Sequence, residues 1–155
     1  MSSDPPGFEL PLRLFMGFRV LIDELNAELA RRGHTDLRPM YGFVMQAIGD
    51  GTTAVELGRT LGVSKQAAGK TVETLERLGY VERTVDPRDA RSKLIRLTTR
   101  GVDALVTSAR IFDDLRGKWA DVLGEDRLRA MEQDLRKVTP ANSFRLDMPG
   151  WFAEM

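Results

Sequence analysis

Apolar side chains recur every three or four residues along much of this chain, a spacing typical of amphipathic helices. The first such segment places its apolar side chains on one face at Leu14, Phe18, Leu21 and Leu25. Gly33 is suited to end this helix, because glycine readily adopts the backbone conformation found at helix C-termini. A second helix is predicted from about Leu37 to Ile48, where residues 49–51, Gly-Asp-Gly, interrupt the pattern.

Two shorter helices follow across a glycine turn. Thr53 with Glu56 three residues later forms a capping-box pattern, which predicts the start of a third helix. Gly62 then marks a turn, and Ser64 is suited to cap a fourth helix. The inner face of the fourth helix is predicted to be Ala68, Val72 and Leu75, with Gly79 closing its end. Two short helices joined by a tight glycine turn are typical of a helix-turn-helix.

The hydrophobic period changes after Gly79. Residues 80–85 and 93–97 are rich in strand-forming types and flank a polar turn with proline and aspartate, which predicts a β-hairpin. Thr98 and Thr99 can cap a further long helix, whose apolar positions are Val102, Leu105, Ala109, Phe112, Trp119 and Val122. A last helix uses Leu128, Met131, Leu135 and Val138 and ends at Pro140. The predicted fold is therefore mainly α with a small β-hairpin.

Composition narrows the function classes. A length of 155 residues favours one domain. The absence of cysteine excludes disulfides, thiolate catalysis and thiol-based redox sensing. No run approaches the roughly 20 apolar residues of a membrane span, and the opening M-S-S-D-P-P-G lacks the pattern of a secretory signal. We therefore expect a cytoplasmic protein without a membrane segment.

The balanced total of 23 basic and 23 acidic side chains conceals a basic middle. Residues 52–100 contain ten Lys and Arg against six Asp and Glu, a net charge of +4. A basic patch on one segment is the electrostatic footprint of a nucleic-acid reader.

The outward face of the fourth helix carries side chains suited to a DNA groove: Ser64, Lys65, Gln66, Gly69 and Lys70. Lysine donates to guanine acceptors, glutamine pairs with adenine, and the first helical turn presents backbone N–H groups to phosphate. A solvated amphipathic face explains this helix equally well when it is considered alone.

Two other chemistries have little support. Gly69, Lys70 and Thr71 match the end of a phosphate-binding loop, but the position of its first glycine is Ser64 and the preceding segment has a helical period. One histidine and no cysteine leave few groups for acid–base or covalent catalysis. We expect no enzyme activity, no cofactor and no metal site.

At the hairpin tip, D-P-R-D-A-R, two arginines alternate with acids. Asp86 and Asp89 could orient the guanidinium groups of Arg88 and Arg91, and a planar arginine suits a narrow minor groove. The alternative is a charged turn that keeps an exposed hairpin soluble.

The stretches L-G-V-S-K-Q-A-A-G-K-T-V-E-T-L-E-R-L-G-Y-V-E-R and D-P-R-D-A-R-S-K-L-I-R-L-T-T-R-G resemble the MarR family of multiple antibiotic resistance regulators, over about residues 37–102. The resemblance implies a homodimer that binds double-stranded DNA. Residues 37–98 would form a winged helix-turn-helix, and residues 8–36 and 99–155 the dimerisation helices and tail. The implied function is a transcriptional regulator, expected to be a repressor, on a roughly palindromic operator. A winged helix that contacts only proteins is the alternative.

The resemblance also assigns sites. Ser64, Lys65, Gln66 and Lys70 match positions of the helix that enters the major groove. Asp89 and Arg91 match the Asp-x-Arg of the wing, whose arginine enters the minor groove, and Arg88 is expected to be a secondary phosphate contact. The chain departs from the family at Ala90, where arginine is frequent, and at Gly69, where a hydroxyl residue is frequent. Affinity or base preference could therefore differ.

Members of this family usually bind a small, often aromatic acid between the dimerisation helices and the DNA-binding region. Aromatic walls and a cation suit a phenolic carboxylate, which gives the candidates Phe15, Phe18, His34, Arg38, Tyr41 and Phe112. Ordinary core or surface roles explain each of them as well, and His34, near a helix end, fits a surface or capping group.

The C-terminal tail, residues 141–155, still carries Phe144, Leu146, Met148, Trp151 and Phe152 after Pro140. This is more than a solubilising end requires, so we expect the tail to pack across the dimer, with a frayed end as the alternative.

Overall fold

A computed structural model describes residues 4–141, which form six helices and one antiparallel hairpin. The helices are α1 Glu9–Arg31, α2 Pro39–Ile48, α3 Ala54–Leu61, α4 Lys65–Arg77, α5 Thr99–Leu123 and α6 Glu125–Val138, and the strands are β1 Val81–Asp86 and β2 Asp89–Leu97. The predicted mainly α fold with a small hairpin is confirmed. The expectation for the tail concerns residues that, from 142 onward, lie outside the described range.

Local side-chain chemistry places the helix ends near their predicted positions. The capping box is present: Thr53 Oγ1 accepts from the Glu56 backbone N–H at 3.3 Å, and Glu56 Oε2 accepts from the Thr53 N–H at 3.4 Å. Ser64 Oγ accepts from the Ala67 N–H at 3.0 Å. Gly62 ends α3 with a φ of +70°, a left-handed conformation that favours glycine.

The second helix begins at Pro39, two residues later than predicted. Arg38 adopts an extended conformation, as expected for a residue that precedes proline. Proline itself is tolerated in the first helical turn because that turn does not use its backbone N–H.

One hydrophobic core joins α2, α3, α4, the hairpin and the first turns of α5. Its buried members are Val44, Met45, Ile48, Leu57, Leu61, Ala68, Val72, Leu75, Tyr80, Val81, Ile95 and Ala104. β2 is also attached to the segment between α2 and α3, because Thr52 and Ile95 exchange two backbone hydrogen bonds at 3.0 and 2.7 Å. We call this unit, residues 39–98, the head.

A second core joins α1 to α5 through Ile22, Leu25, Leu29, Ile111 and Leu115. The near-heptad stripe predicted for α5 contributes only in part: Leu105 packs against the first core and Phe112 against the second. Val102 is 49% exposed and Val122 is 84% exposed, whereas Gly101, Ala104, Ile111 and Leu115 are buried. These buried residues lie on the face of α5 that contacts the head at the start of the helix, through Ala104, and α1 in its middle, through Ile111 and Leu115.

α6 packs against α5 through buried Leu128, while Met131 and Val138 remain exposed. Arg116 on α5 donates from Nε to Glu132 Oε1 at 2.7 Å and from Nη2 to Glu125 Oε1 at 3.0 Å. These hydrogen bonds lower the pKa of both glutamates. Within the described residues, none of the helices is both long and apolar enough to span a membrane.

The hairpin is longer at its tip than predicted. β2 begins at Asp89 instead of residue 93, and the strand register shifts between Val85 and Asp86. Asp86 is buried, and its Oδ1 accepts from the Arg88 backbone N–H at 2.9 Å. Such a bond from an aspartate to the backbone two residues on stabilises a tight turn, which explains why the strands continue almost to the tip.

Candidate nucleic-acid interface

α4 buries one face and exposes the face predicted to meet DNA. Ala68, Val72 and Leu75 are buried in the head, and Lys65, Gln66 and Lys70 are exposed. Ser64 is exposed too, but its hydroxyl already accepts the capping hydrogen bond. A DNA contact by Ser64 would therefore use its hydroxyl hydrogen or the neighbouring backbone.

A groove of about 220 Å³ separates α4 from the hairpin. Its basic lining residues are Lys65 from α4, Arg83 from β1, and Arg91 and Lys93 from β2. The start of α3 supplies Thr53, Ala54 and Val55 to the same groove. No carboxylate is among the lining residues in the described part of the chain, so the groove concentrates positive potential next to the exposed face of α4.

Arg91 is held by hydrogen bonds close to its backbone, while most of its side chain is exposed to solvent. Asp89 Oδ1 accepts from both the backbone N–H and Nε of Arg91, at 3.0 and 3.3 Å, while the arginine side chain is 93% exposed. The structure thus brings together the two residues that the Asp-x-Arg pattern paired.

Arg88 occupies a different place. Its Nε lies 3.5 Å from Asp86 Oδ1, its Nη2 lies 3.8 Å from Glu56 Oε1, and it is not among the groove-lining residues. The two wing arginines therefore diverge, with Arg91 beside α4 and Arg88 near the start of α3.

Arg83 is engaged within the protein. Its Nη2 donates to Glu76 Oε1 at 3.0 Å, which ties β1 to α4. The hydrogen bond from Arg83 lowers the pKa of Glu76, and the same bond raises the pKa of Arg83. This pair stabilises the angle between hairpin and helix, and Lys65, Arg91 and Lys93 remain to attract an anion.

Sequence reasoning did not single out Lys93 or Arg83 as site residues. Strand alternation is the signal that could have found Lys93, because Arg91, Lys93 and Ile95 are spaced by two along β2 and all line the groove. Arg83 had no comparable signal, since its role depends on Glu76 in the preceding helix.

A second cavity, of about 380 Å³, lies where α1, α2 and α5 meet. It is lined by Ile22, Leu25, Pro39, Gly42, Phe43, Gln46, Leu105, Ser108, Ala109 and Phe112. Of the six predicted ligand residues, Phe112 belongs to this lining. The lining does not include Phe15, Phe18, His34, Arg38 or Tyr41. Phe18 is nevertheless adjacent, because it stacks on the lining residue Phe43 with ring centroids 6.3 Å apart.

His34 is buried at 6% exposure, so its interpretation as a surface or capping group was wrong. Its ring nitrogens contact Tyr80 and Asp103, which lie 46 and 69 residues further along the chain. In the described part of the chain, no three histidine, aspartate or glutamate side chains are grouped to hold a metal ion.

The helix-turn-helix, the paired hairpin and the cationic groove between them define a winged helix-turn-helix protein. A family model for the MarR family matches residues 42–92. The multiple antibiotic resistance protein MarR of Escherichia coli is 33% identical over 89 residues, which cover 57% of this chain and 62% of that protein. A riboflavin kinase of Thermoplasma volcanium is 40% identical over 55 residues, 36% of this chain and 24% of the kinase.

The similarity extends to structure. A crystal structure of a mutant E. coli MarR complexed with operator DNA is similar with a TM-score of 0.65 and 27% identity, covering 89% of this chain and all of that one. This chain is therefore similar to MarR-family proteins in sequence and in fold. The aligned segments span less than two thirds of the length of both curated relatives, at 62% and 24%.

Proposed function

We propose that this chain is a sequence-specific DNA-binding transcriptional regulator, acting as a homodimer on a roughly palindromic operator. The observation that carries the proposal is the groove in which Lys65, Arg91 and Lys93 lie beside the exposed face of α4. α4 would enter the major groove, where Lys65, Gln66 and Lys70 would meet base edges or phosphates. Arg91 would enter the adjacent minor groove, and Ser64, Arg88 and Asp89 would support these contacts.

The exposed apolar surface supports a homodimer. One protomer leaves large hydrophobic side chains uncovered outside the head. They are Phe8, just before α1, and the helical residues Leu10, Leu12, Leu14, Met16, Val20, Val102, Val106, Val122, Leu123, Met131 and Val138. Water-exposed apolar surface of this extent is typical of an interface. A two-fold axis would place two copies of α4 in successive major grooves, about 34–36 Å apart.

The cavity between α1, α2 and α5 supports control by a small molecule. Its walls are largely apolar, and Gln46 and Ser108 supply polar groups that could orient a ligand. A small aromatic acid fits this chemistry. Because the cavity lies between the head and the long helices, a bound ligand would favour one orientation of the head. We expect ligand binding to relieve repression.

We propose that this chain has no enzyme activity. The similarity to the riboflavin kinase covers 24% of that enzyme and therefore does not transfer its reaction. The proposed function requires access to DNA, so we also propose a cytoplasmic location.

Selection of bound sequences from random DNA duplexes, repeated at rising salt, tests the function. We expect enrichment of an inverted repeat and an affinity that falls steeply with salt, because several phosphates are contacted. Salt-dependent binding without enrichment would contradict sequence-specific reading. Absence of DNA binding would favour the alternative of a winged helix that contacts only proteins.

A further inference from the structure

Tyr80, the third residue after α4 ends at Arg77, is fully buried and links three parts of the fold. Its hydroxyl oxygen lies 2.9 Å from His34 Nδ1 and 3.1 Å from Arg100 Nη2. His34 Nε2 in turn lies 2.9 Å from Asp103 Oδ2. Three hydrogen bonds thus connect the start of α5, the end of α4 and the segment between α1 and α2.

The donors and acceptors of this chain of bonds can be assigned. A carboxylate only accepts, so the Nε2 atom of His34 carries the hydrogen directed at Asp103. A neutral imidazole has a single N–H, hence Nδ1 accepts and the Tyr80 hydroxyl donates to it. The Tyr80 oxygen then accepts from Arg100. Every group has a partner when His34 is neutral, and no buried side-chain polar atom of the described residues is left without one.

The backbone of Tyr80 is fixed as well. Its N–H donates to the Leu75 carbonyl at 2.9 Å, and its carbonyl accepts from the Thr98 N–H at 3.0 Å. Gly101 lies so close that a Cβ at that position would overlap the Tyr80 carbonyl oxygen. The guanidinium carbon of Arg100 lies 4.6 Å from the Tyr80 ring centroid. Tyr80 is therefore the point at which α4 is attached to α5.

This attachment lies at the end of α4 opposite its DNA-facing residues. A helix rises about 1.5 Å per residue, so Lys65 is about 20 Å from the Tyr80 end. A rotation of about 5° there would move Lys65 by about 1.7 Å, which is enough to break a hydrogen bond to a base.

We propose that Tyr80 and His34 are positioning residues for DNA recognition, which hold α4 at the tilt required for groove contact through the bonds Arg100 to Tyr80 to His34 to Asp103. This inference rests on the proposed function. Neither side chain touches DNA, because Tyr80 and His34 are both buried within the protomer. Their effect is on the orientation of α4 and on the separation of its two copies in the dimer.

The chain contains no cysteine, so Glu73→Cys on the exposed face of α4 gives one spin label per protomer. Electron–electron dipolar spectroscopy then measures the distance between the two copies of α4 without DNA. Tyr80→Phe removes only the hydroxyl and should broaden or shift this distance distribution. Tyr41→Phe, at the only other tyrosine, is the matched control and should leave it unchanged. An identical distribution in the parent and Tyr80→Phe would overturn the proposal.

The same variants are compared in operator binding. We expect Tyr80→Phe to weaken affinity by about tenfold with an unchanged dimer dissociation constant, and Tyr41→Phe to have no effect. A parent protein that gives no dipolar distance or selects no DNA sequence would contradict the proposed function instead, so the two failures are distinguishable.

Nitrogen-15 NMR provides a measurement that does not depend on DNA and covers the case in which Tyr80→Phe folds poorly. His34 is the only histidine, so untagged protein gives a single pair of ring nitrogen signals. We expect the Nε2–H tautomer. The Nδ1–H tautomer, or an average of both, would overturn the assigned chain of bonds.

Discussion

A single oxygen of Asp89, Oδ1, accepts two hydrogen bonds from Arg91, at 3.0 Å from the backbone N–H and 3.3 Å from Nε. This contact limits the rotation of the side chain near its base. The two Nη groups are the part of the guanidinium that would donate to DNA. Aspartate and arginine at this spacing therefore present an exposed cation with reduced conformational freedom.

Arg91→Ala should weaken operator binding by about 1–3 kcal/mol, because it removes a specific groove contact. The thermal midpoint should stay the same, since the side chain is 93% exposed. Fluorescence anisotropy with labelled operator measures the affinity. Arg96→Ala, on the other face of the same strand, is the control and should bind normally; equal affinity of both variants would remove Arg91 from the site.

Gly69→Ala should have opposite effects on stability and binding. Glycine inside a helix costs about 0.5–1 kcal/mol relative to alanine, and an added Cβ at position 69 meets no atom within 4 Å. The free energy of unfolding should therefore increase by about this amount. DNA affinity should fall, because a methyl group on the groove side of α4 hinders close approach to DNA.

Gly117→Ala on α5 is the matched control for this substitution, since its Cβ also meets nothing within 4 Å. It should stabilise the protein without reducing DNA affinity, with dimer dissociation measured in parallel. If Gly69→Ala binds the operator as tightly as the parent, the glycine has no role in recognition.

The ion pairs between α5 and α6 should make stability depend on acid pH. Arg116 lowers the pKa of Glu125 and Glu132 below their ordinary value of 4.5. Carboxylates with a lowered pKa in the folded state stabilise it above the unfolded pKa, and this contribution is lost as the pH falls through the folded pKa. The difference in unfolding free energy between the parent and Arg116→Gln should be constant near neutral pH and shrink below about pH 4.5.

Urea denaturation over a range of pH measures this difference. Arg110→Gln, which changes an exposed arginine on the same helix, is the control and should show a small difference that does not vary with pH in this way. A difference for Arg116→Gln that is equally large at low and neutral pH would contradict the ionic origin of the effect.

Gln46→Leu should weaken binding of an aromatic carboxylate such as 2-naphthoate to the cavity between α1, α2 and α5. A hydrogen bond to a charged group contributes about 1.5–3 kcal/mol, so a loss of this size is expected in isothermal titration calorimetry. Gln133→Leu on the exposed surface of α6 is the control. Unaltered binding in Gln46→Leu would show that the amide does not contact the ligand.

Predictions that depended on neighbouring residues agreed with the structure. The cap at Thr53, the left-handed Gly62 and the buried face of α4 follow from contacts within about four positions, which a sequence pattern contains. The hairpin tip was predicted less well, because the buried turn at Asp86 allows β2 to begin at Asp89.

Features that depend on distant residues were not predictable in this way. Phe112 alone among the six expected ligand residues lines the cavity, whose walls come from three helices that are separate in sequence. His34 looked exposed because its partners, Tyr80 and Asp103, come from later elements. The composition of a pocket or a buried polar cluster requires the arrangement of the helices in space.

The two backbone hydrogen bonds between Thr52 and Ile95 have a consequence for protein engineering. They make the base of the wing part of the head, whereas its tip depends on turn contacts made by Asp86 and Asp89. A chimaera that receives the wing of another regulator would thus need the donor's segment between α2 and α3 as well. Randomising residues 87–91 alone, by contrast, would vary the tip on an unchanged base and offers a compact library for altering operator preference.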